Sequence, residues 1–141
     1  MRAAIELAAA GEGPTRGETI AQAQGISVKF LENILSEMRH DGLVASRRGV
    51  YGGYWLARPA DTITVADVIR AVEGPLASVR GEAPEKLDYP GAAQPLGRLW
   101  IALRGSLRSV LEHVTRADLA AGQLPEAIES LAADPESWTT R

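Results

Sequence analysis

Polar side chains with the spacing of one helix face form the first group of residues suited to chemistry. They are Lys29, Glu32, Asn33 and Ser36, with Ser27 just before them. A lysine can reach guanine acceptors or a phosphate, an asparagine can pair with adenine through two hydrogen bonds, and a glutamate can accept from a cytosine amino group. Serine hydroxyls can contact phosphates. These residue types at this spacing indicate a surface that reads DNA.

A second group, Arg47, Arg48 and Tyr51, follows a short distance along the chain. The stretch Val44–Ala60 holds three arginines and no acidic residue. Arginines on a hairpin can enter a minor groove or grip phosphates, and we expect Tyr51 to pack at the hairpin tip. A solvated face would more commonly mix both signs of charge, so this stretch favours contact with nucleic acid.

The first group requires a helix, which the apolar pattern predicts over Val28–Asp41. That segment places its apolar residues on one stripe, at Leu31, Ile34, Leu35 and Met38. Ser27 is a good N-cap for this helix. A shorter helix is predicted before it over Arg16–Gln24, opened by a capping box of Thr15 and Glu18 and closed by Gly25. Two such helices around a glycine turn are typical of a helix-turn-helix.

The second group requires a hairpin, which the sequence predicts directly after Gly42. Leu43–Arg47 and Tyr54–Ala57 have strand character, and the glycine-rich loop Arg48–Gly53 joins them. A helix-turn-helix followed by a basic hairpin is a winged helix. The expected fold is therefore mainly α with a small β-hairpin.

The remainder of the chain predicts a connecting loop and a long helix. Thr64 and Asp67 form a capping box for a helix over Val65–Glu73, which Gly74 and Pro75 end. Apolar residues then recur at alternating spacings of four and three, which predicts a helix with a dimerisation face: Leu96, Trp100, Leu103, Leu107, Val110 and Val114. A short helix over Glu126–Ala133 and a frayed tail over Asp134–Arg141 complete the chain.

The predicted organisation is a winged helix-turn-helix at residues 1–75, a linker at 76–95, and a dimerisation helix with a tail at 96–141. An amphipathic helix can instead bury its stripe against its own domain. We favour a homodimer because one winged helix reads a half-site too short for strong specificity, whereas a dimer reads two.

The charge is divided unequally between the two halves of the chain. The 141 residues carry a net charge of −3. Residues 1–60 hold seven basic and six acidic side chains, whereas residues 61–141 hold eight basic and twelve acidic ones. A basic reading surface combined with an acidic dimerisation half accounts for the overall value.

Several function classes are excluded or disfavoured by composition. The chain contains no cysteine, which excludes disulfides, thiolate nucleophiles and cysteine-held iron–sulfur clusters. His40 and His113 have no acidic residues at metal-ligand spacing, and no catalytic or cofactor motif is present, so we predict no enzyme and no metal site. No apolar run is long enough to span a membrane, which predicts a cytoplasmic protein.

The segments Gly25–Leu35 (GISVKFLENIL), Asp41–Pro59 (DGLVASRRGVYGGYWLARP) and Ile63–Pro75 (ITVADVIRAVEGP) carry a resemblance. Together they resemble the Rrf-two family of bacterial winged helix-turn-helix regulators, the IscR-like family. The resemblance implies a dimeric, sequence-specific DNA binder, usually a repressor, with base-reading residues at Lys29, Glu32 and Asn33. It also implies that the minor-groove arginine is Arg48.

One departure from the family pattern concerns the signal. Cluster-sensing members carry three cysteines before the dimerisation helix, and the matching interval, residues 78–97, contains none. We therefore expect no iron–sulfur cofactor. Two alternatives stay open: a winged-helix adaptor that binds another protein, and a regulator that senses a small molecule near Tyr89 and Trp100.

Overall fold

The computed structural model describes residues 1–140 and confirms a mainly helical fold with one hairpin. The helices are α1 (Arg2–Ala10), α2 (Gly17–Gln24), α3 (Val28–His40), α4 (Val65–Glu73), α5 (Pro95–Leu111), α6 (Arg116–Ala120) and α7 (Glu126–Ala133). The strands are β1 (Val44–Arg47) and β2 (Gly53–Leu56). Short 3-10 turns lie at Ala60–Thr62, Pro84–Lys86, Gly91–Ala93 and Pro135–Trp138. No helix within residues 1–140 is long and apolar enough to cross a membrane.

The hydrophobic core lies where α1, α2, α3, β1 and α4 meet. The predicted apolar stripe of α3 supplies three of its fully buried side chains, Leu31, Leu35 and Met38. Around them pack apolar residues of the other elements, Ala3, Ala4, Leu7, Ile20, Ala21, Leu43, Val44, Ile63 and Val68. Because this face of α3 is buried, its opposite face is turned to solvent.

Side-chain caps fix the starts of α3 and α4, as predicted. The Ser27 hydroxyl oxygen accepts a hydrogen bond from the Phe30 amide at 3.2 Å. Thr64 and Asp67 form the reciprocal capping box, with distances of 3.0 and 3.1 Å between the side-chain oxygens and the backbone nitrogens. These caps satisfy backbone donors that a helix start otherwise leaves free.

The predicted capping box at Thr15 and Glu18 is wrong. Helix α2 begins after Arg16, which makes no side-chain cap hydrogen bond. Thr15 instead pairs with Tyr54 of β2 through two backbone hydrogen bonds, both 2.8 Å long. The Thr15 amide, which a capping box would pair with Glu18, is thus used by the hairpin, and the N-cap position falls on Arg16.

The predicted helix over Leu96–Val114 ends early, at Leu111. Val114 is buried, and its carbonyl accepts a hydrogen bond of 2.8 Å from the Val65 amide. A capping box of Thr115 and Asp118 then starts α6, which packs against α1. Val114 is therefore a contact to the winged-helix part of the chain, and its assignment to the dimerisation face is corrected.

The C-terminal segment contains the short helix α7 over the predicted residues Glu126–Ala133. Within the predicted frayed tail, a 3-10 turn forms at Pro135–Trp138, and the Trp138 indole donates to the Ala132 carbonyl at 2.6 Å. Arg141 lies outside the described residues.

Candidate nucleic-acid interface

An open groove lies between the exposed face of α3 and the wing, the hairpin β1–β2 with its loop. Its volume is about 970 Å³. The groove brings together five of the predicted DNA-binding residues: Glu32, Asn33, Ser36, Arg47 and Arg48. All five side chains are exposed. We call this surface the wing groove.

The other three predicted residues, Ser27, Lys29 and Tyr51, are exposed but do not line the wing groove. Ser27 and Lys29 lie at the start of α3, where the Ser27 oxygen is occupied as the helix cap. Tyr51 is 85% exposed at the wing tip and does not pack as predicted. Its backbone carbonyl, however, accepts a hydrogen bond from Arg47 Nη2 at 3.1 Å, which braces the loop.

Glycine is required where the wing loop returns to β2. A Cβ atom on Gly52 would stand 2.1 Å from the Arg47 carbonyl oxygen, closer than any real contact. Gly53 has a φ of +147°, and a Cβ there would stand 2.6 Å from the Thr15 carbonyl oxygen. Only glycine allows this close approach of backbone segments, which sets the position of Arg47 and Arg48.

Two arginines that sequence reasoning did not assign to the site also line the wing groove. Arg16, just before α2, donates to the Val50 carbonyl at 3.1 Å, and Arg39 of α3 donates to the Ser46 hydroxyl at 3.2 Å. The contact of Arg16 with the wing depends on the pairing of Thr15 with Tyr54, which no local pattern revealed. Arg39 lies one turn after Ser36, a spacing that could have identified it.

An exposed aromatic ring was also missed at the start of α3. Phe30 is 57% exposed, although its neighbour Leu31 is fully buried. Its position outside the buried stripe was the available signal. A phenylalanine on such a face can contact a thymine methyl group.

The arginines of the wing groove have no acidic partner. Among the described residues, every ion pair involves Arg58, Arg70, Arg104 or Arg108, none of which lines this groove. Two acidic side chains, Glu18 and Glu32, do line it, against four arginines. The excess positive charge suits phosphates, while Glu32 and Asn33 can hydrogen-bond base edges.

The apolar residues of α5 remain largely uncovered within the chain, and the helix has no buried residue. Leu96, Leu103 and Leu107 are 37%, 45% and 37% exposed, while Trp100 and Val110 are half-buried. Leu99 and Ile101, which the heptad pattern omitted, are also exposed. The Trp100 indole donates to the Tyr89 hydroxyl at 3.0 Å.

Metal-ligating residues are sparse in this chain. It contains no cysteine. Within residues 1–140, no group of three His, Cys, Asp or Glu residues is placed to hold a metal ion. A cluster held by cysteine thiolates therefore has no ligands in this chain.

Comparison with known proteins gives a consistent result. Residues 1–122 match the family model described as "Rrf2: Iron-dependent Transcriptional regulator". The chain is 49% identical over 135 residues to the HTH-type transcriptional regulator Rv1287 of Mycobacterium tuberculosis, covering 95% of this chain and 84% of that protein. It is 42% identical over 120 residues to CymR of Bacillus subtilis, covering 82% and 80%.

Solved structures agree with these sequence relatives. The structure of CymR, titled the global cysteine regulator of B. subtilis, matches with a TM-score of 0.70 and covers 86% of this chain and 89% of that one. IscR of T. potens matches with a TM-score of 0.66 at 31% identity, covering 99% and 85%. The wing groove, the fold and these relatives together establish that the chain belongs to the Rrf2 family of helix-turn-helix transcriptional regulators.

Proposed function

We propose that this regulator binds a pseudo-palindromic operator as a cytoplasmic homodimer and represses transcription there. The observation that carries the proposal is the wing groove, in which Arg16, Arg39, Arg47 and Arg48 have no ion-pair partner among the described residues beside the base-reading candidates Glu32 and Asn33. The repressor role rests on the family resemblance.

Within the complex, α3 lies in the major groove and its polar face reads base edges. Lys29, Glu32 and Asn33 make these contacts, and Phe30 adds an apolar contact beside them. Arg48 enters the neighbouring minor groove. Phosphate contacts come from the residues around this centre, Ser27, Ser36, Arg47 and Tyr51.

Dimerisation uses α5, whose apolar side chains need a cover that the described chain does not provide. The partner we propose is a second copy of this chain. Two wing grooves then bind two half-sites that are separated by about 34 Å, one turn of DNA, or by a multiple of that distance. Leu96, Trp100, Leu103, Leu107 and Val110 form this face, together with Leu99.

The regulator acts without a cysteine-held cluster and is not an enzyme. The family description includes iron, but this chain offers no thiolate, and no suitable group of donors lies within the described residues. The signal that changes its DNA affinity is therefore of another chemical kind.

The test is an operator selected by the purified protein from random duplexes, followed by anisotropy titrations. Arg48→Ala weakens operator binding by about 1–3 kcal/mol because the minor-groove contact is lost. Lys86→Ala is the matched control, since Lys86 is exposed and does not line the wing groove. Equal affinities for wild type and Arg48→Ala would show that Arg48 does not contact the operator.

Salt dependence separates this function from that of a protein-binding adaptor. Each phosphate contact steepens the decline of affinity by about 0.9 in the slope of log K against log salt. We expect a steep slope on the selected operator. Failure to select any duplex would favour the adaptor.

A further inference from the structure

A second cleft lies between the C-terminal end of α4 and helix α5. It has a volume of about 480 Å³ and shares no residue with the wing groove. Its walls come from Arg70, Gly74, Pro75, Leu76, Glu85, Arg104 and Arg108. Three of these seven residues are arginines. We call it the arginine cleft.

The carboxylates of the arginine cleft do not balance its guanidinium groups. One Glu112 oxygen accepts hydrogen bonds from Arg70 and from Arg108 Nε, the latter at 2.9 Å. Glu85 pairs with Arg104 at 2.5 Å. A third acid, Asp67, stands 3.8 Å from Arg70 but is shared with Arg58 at 3.6 Å. Together with Arg58, this network holds four guanidinium groups and three carboxylates, an excess of one positive charge, and Glu85 is the only one of the three acids that lines the cleft.

Donor groups in the cleft remain unused. Arg108 donates to Glu112 only through Nε, and its Nη1 and Nη2 groups make no hydrogen bond within residues 1–140. Arg104 donates only through Nη1, to Glu85. The planar fork of a guanidinium group matches the two oxygens of a carboxylate or phosphate.

The positions of Arg104 and Arg108 add an electrostatic reason for an anion. They lie four residues apart on α5, so they are neighbours on one face and repel each other. An anion between them offsets this repulsion and occupies both sets of free donors. The cleft shares no lining residue with the wing groove, so we treat its occupant as distinct from the DNA.

We infer that the arginine cleft binds a small anionic molecule through a carboxylate or phosphate group held by Arg104 and Arg108. Since Arg70 of α4 lines the same cleft, the bound anion lies between the winged-helix part and the dimerisation helix. This inference concerns binding alone and does not depend on the operator.

Isothermal titration calorimetry of the DNA-free protein tests the inference, with citrate and inorganic phosphate as separate probes at constant ionic strength. We expect saturable binding of at least one probe, and the stronger probe identifies the preferred group. Arg108→Gln and Arg104→Gln should each weaken that binding about tenfold. Arg98→Gln is the matched control, because Arg98 is an exposed arginine of α5 outside the cleft.

Two results would overturn the inference. One is the absence of saturable heat with both probes up to about 10 mM. The other is equal affinity in Arg108→Gln and Arg98→Gln. Arg108→Lys keeps the charge but removes the fork, so it should still weaken binding, and it provides the same test if the glutamine variant unfolds.

Discussion

Two glycines fix the shape of the wing loop, through close backbone contacts rather than through side-chain packing. At Gly52 the Arg47 carbonyl occupies the space of a Cβ atom, and at Gly53 the Thr15 backbone does so. Any side chain at these two positions therefore requires the neighbouring backbone to move. The site's arginines depend on these glycines for their position, although neither glycine contacts DNA in our proposal.

Gly52→Ala should destabilise the protein by about 1–3 kcal/mol, because the Arg47 carbonyl must move to admit the methyl group. Urea denaturation measures this change. Gly97→Ala is the control: the nearest atom to its added Cβ is 3.9 Å away, and because Gly97 lies in α5, this change should leave stability unchanged or raise it by up to about 1 kcal/mol. An unfolding free energy equal to that of wild type would show that the loop relaxes without cost.

Arg116 is the opposite case, a charged residue with no exposed surface. One of its nitrogens contacts the Met1 sulfur, while Nε and Nη2 have no hydrogen-bond partner. Burial lowers the pKa of the Arg116 guanidinium, and the charge of Asp67 opposes this shift. A buried charge without a partner costs stability.

Arg116→Met should therefore raise the free energy of unfolding by about 1–4 kcal/mol, since a flexible apolar side chain fills much of the same space. Thermal and urea unfolding of the variant measure this gain. Lys86→Met, at an exposed position, should leave stability unchanged. A loss of stability in Arg116→Met would mean that the guanidinium group has a stabilising partner after all.

At the scale of elements, α4 and α5 are connected by ion pairs, because Arg70 of α4 and Arg108 of α5 both pair with Glu112. The hydrogen bonds from Arg70 and Arg108 lower the pKa of Glu112, so this carboxyl group stays ionised at pH values at which an unpaired glutamate would protonate. Because the folded-state pKa lies below the unfolded one, the contribution to stability is present above the unfolded pKa. It is lost as the pH falls through the folded-state value.

Glu112→Gln should lower the melting temperature at pH 7, and this difference from wild type should shrink below about pH 4.3, where the unfolded carboxyl group begins to protonate. Melting curves of both proteins over a pH series give the comparison. Glu37→Gln serves as control, because Glu37 is exposed and has no ion pair within the described chain. A difference that does not depend on pH would rule out the charge mechanism.

Elements whose ends depend on neighbouring residues were predicted well. Helix α3 follows from its apolar stripe and the Ser27 cap, both local features. Thr15 and Val114 were misassigned because their backbone partners, Tyr54 and Val65, are distant in sequence. The Thr115–Asp118 spacing is a local signal for the start of α6, and it was missed.

For the whole molecule, the uncovered face of α5 determines the proposed assembly. Leu103→Lys places a charge at its centre and should convert the dimer to a monomer in light scattering. Operator affinity should then decline about a hundredfold, because the second half-site no longer adds to binding. Ser109→Lys, at an exposed position of α5 outside this face, should change neither quantity. A Leu103→Lys variant that remains dimeric would place the dimer interface elsewhere.

The sequence by itself determined the winged helix, the polar face of α3, the basic wing and the absence of thiolate ligands, because these depend on residue type and local spacing. Only the tertiary structure brought Arg16 to the wing, turned residues 114–120 back onto α1, and gathered Arg70, Arg104 and Arg108 in one cleft. Each of these contacts joins residues far apart along the chain. Local patterns carry no information about such pairs, since packing of the core decides which distant segments meet.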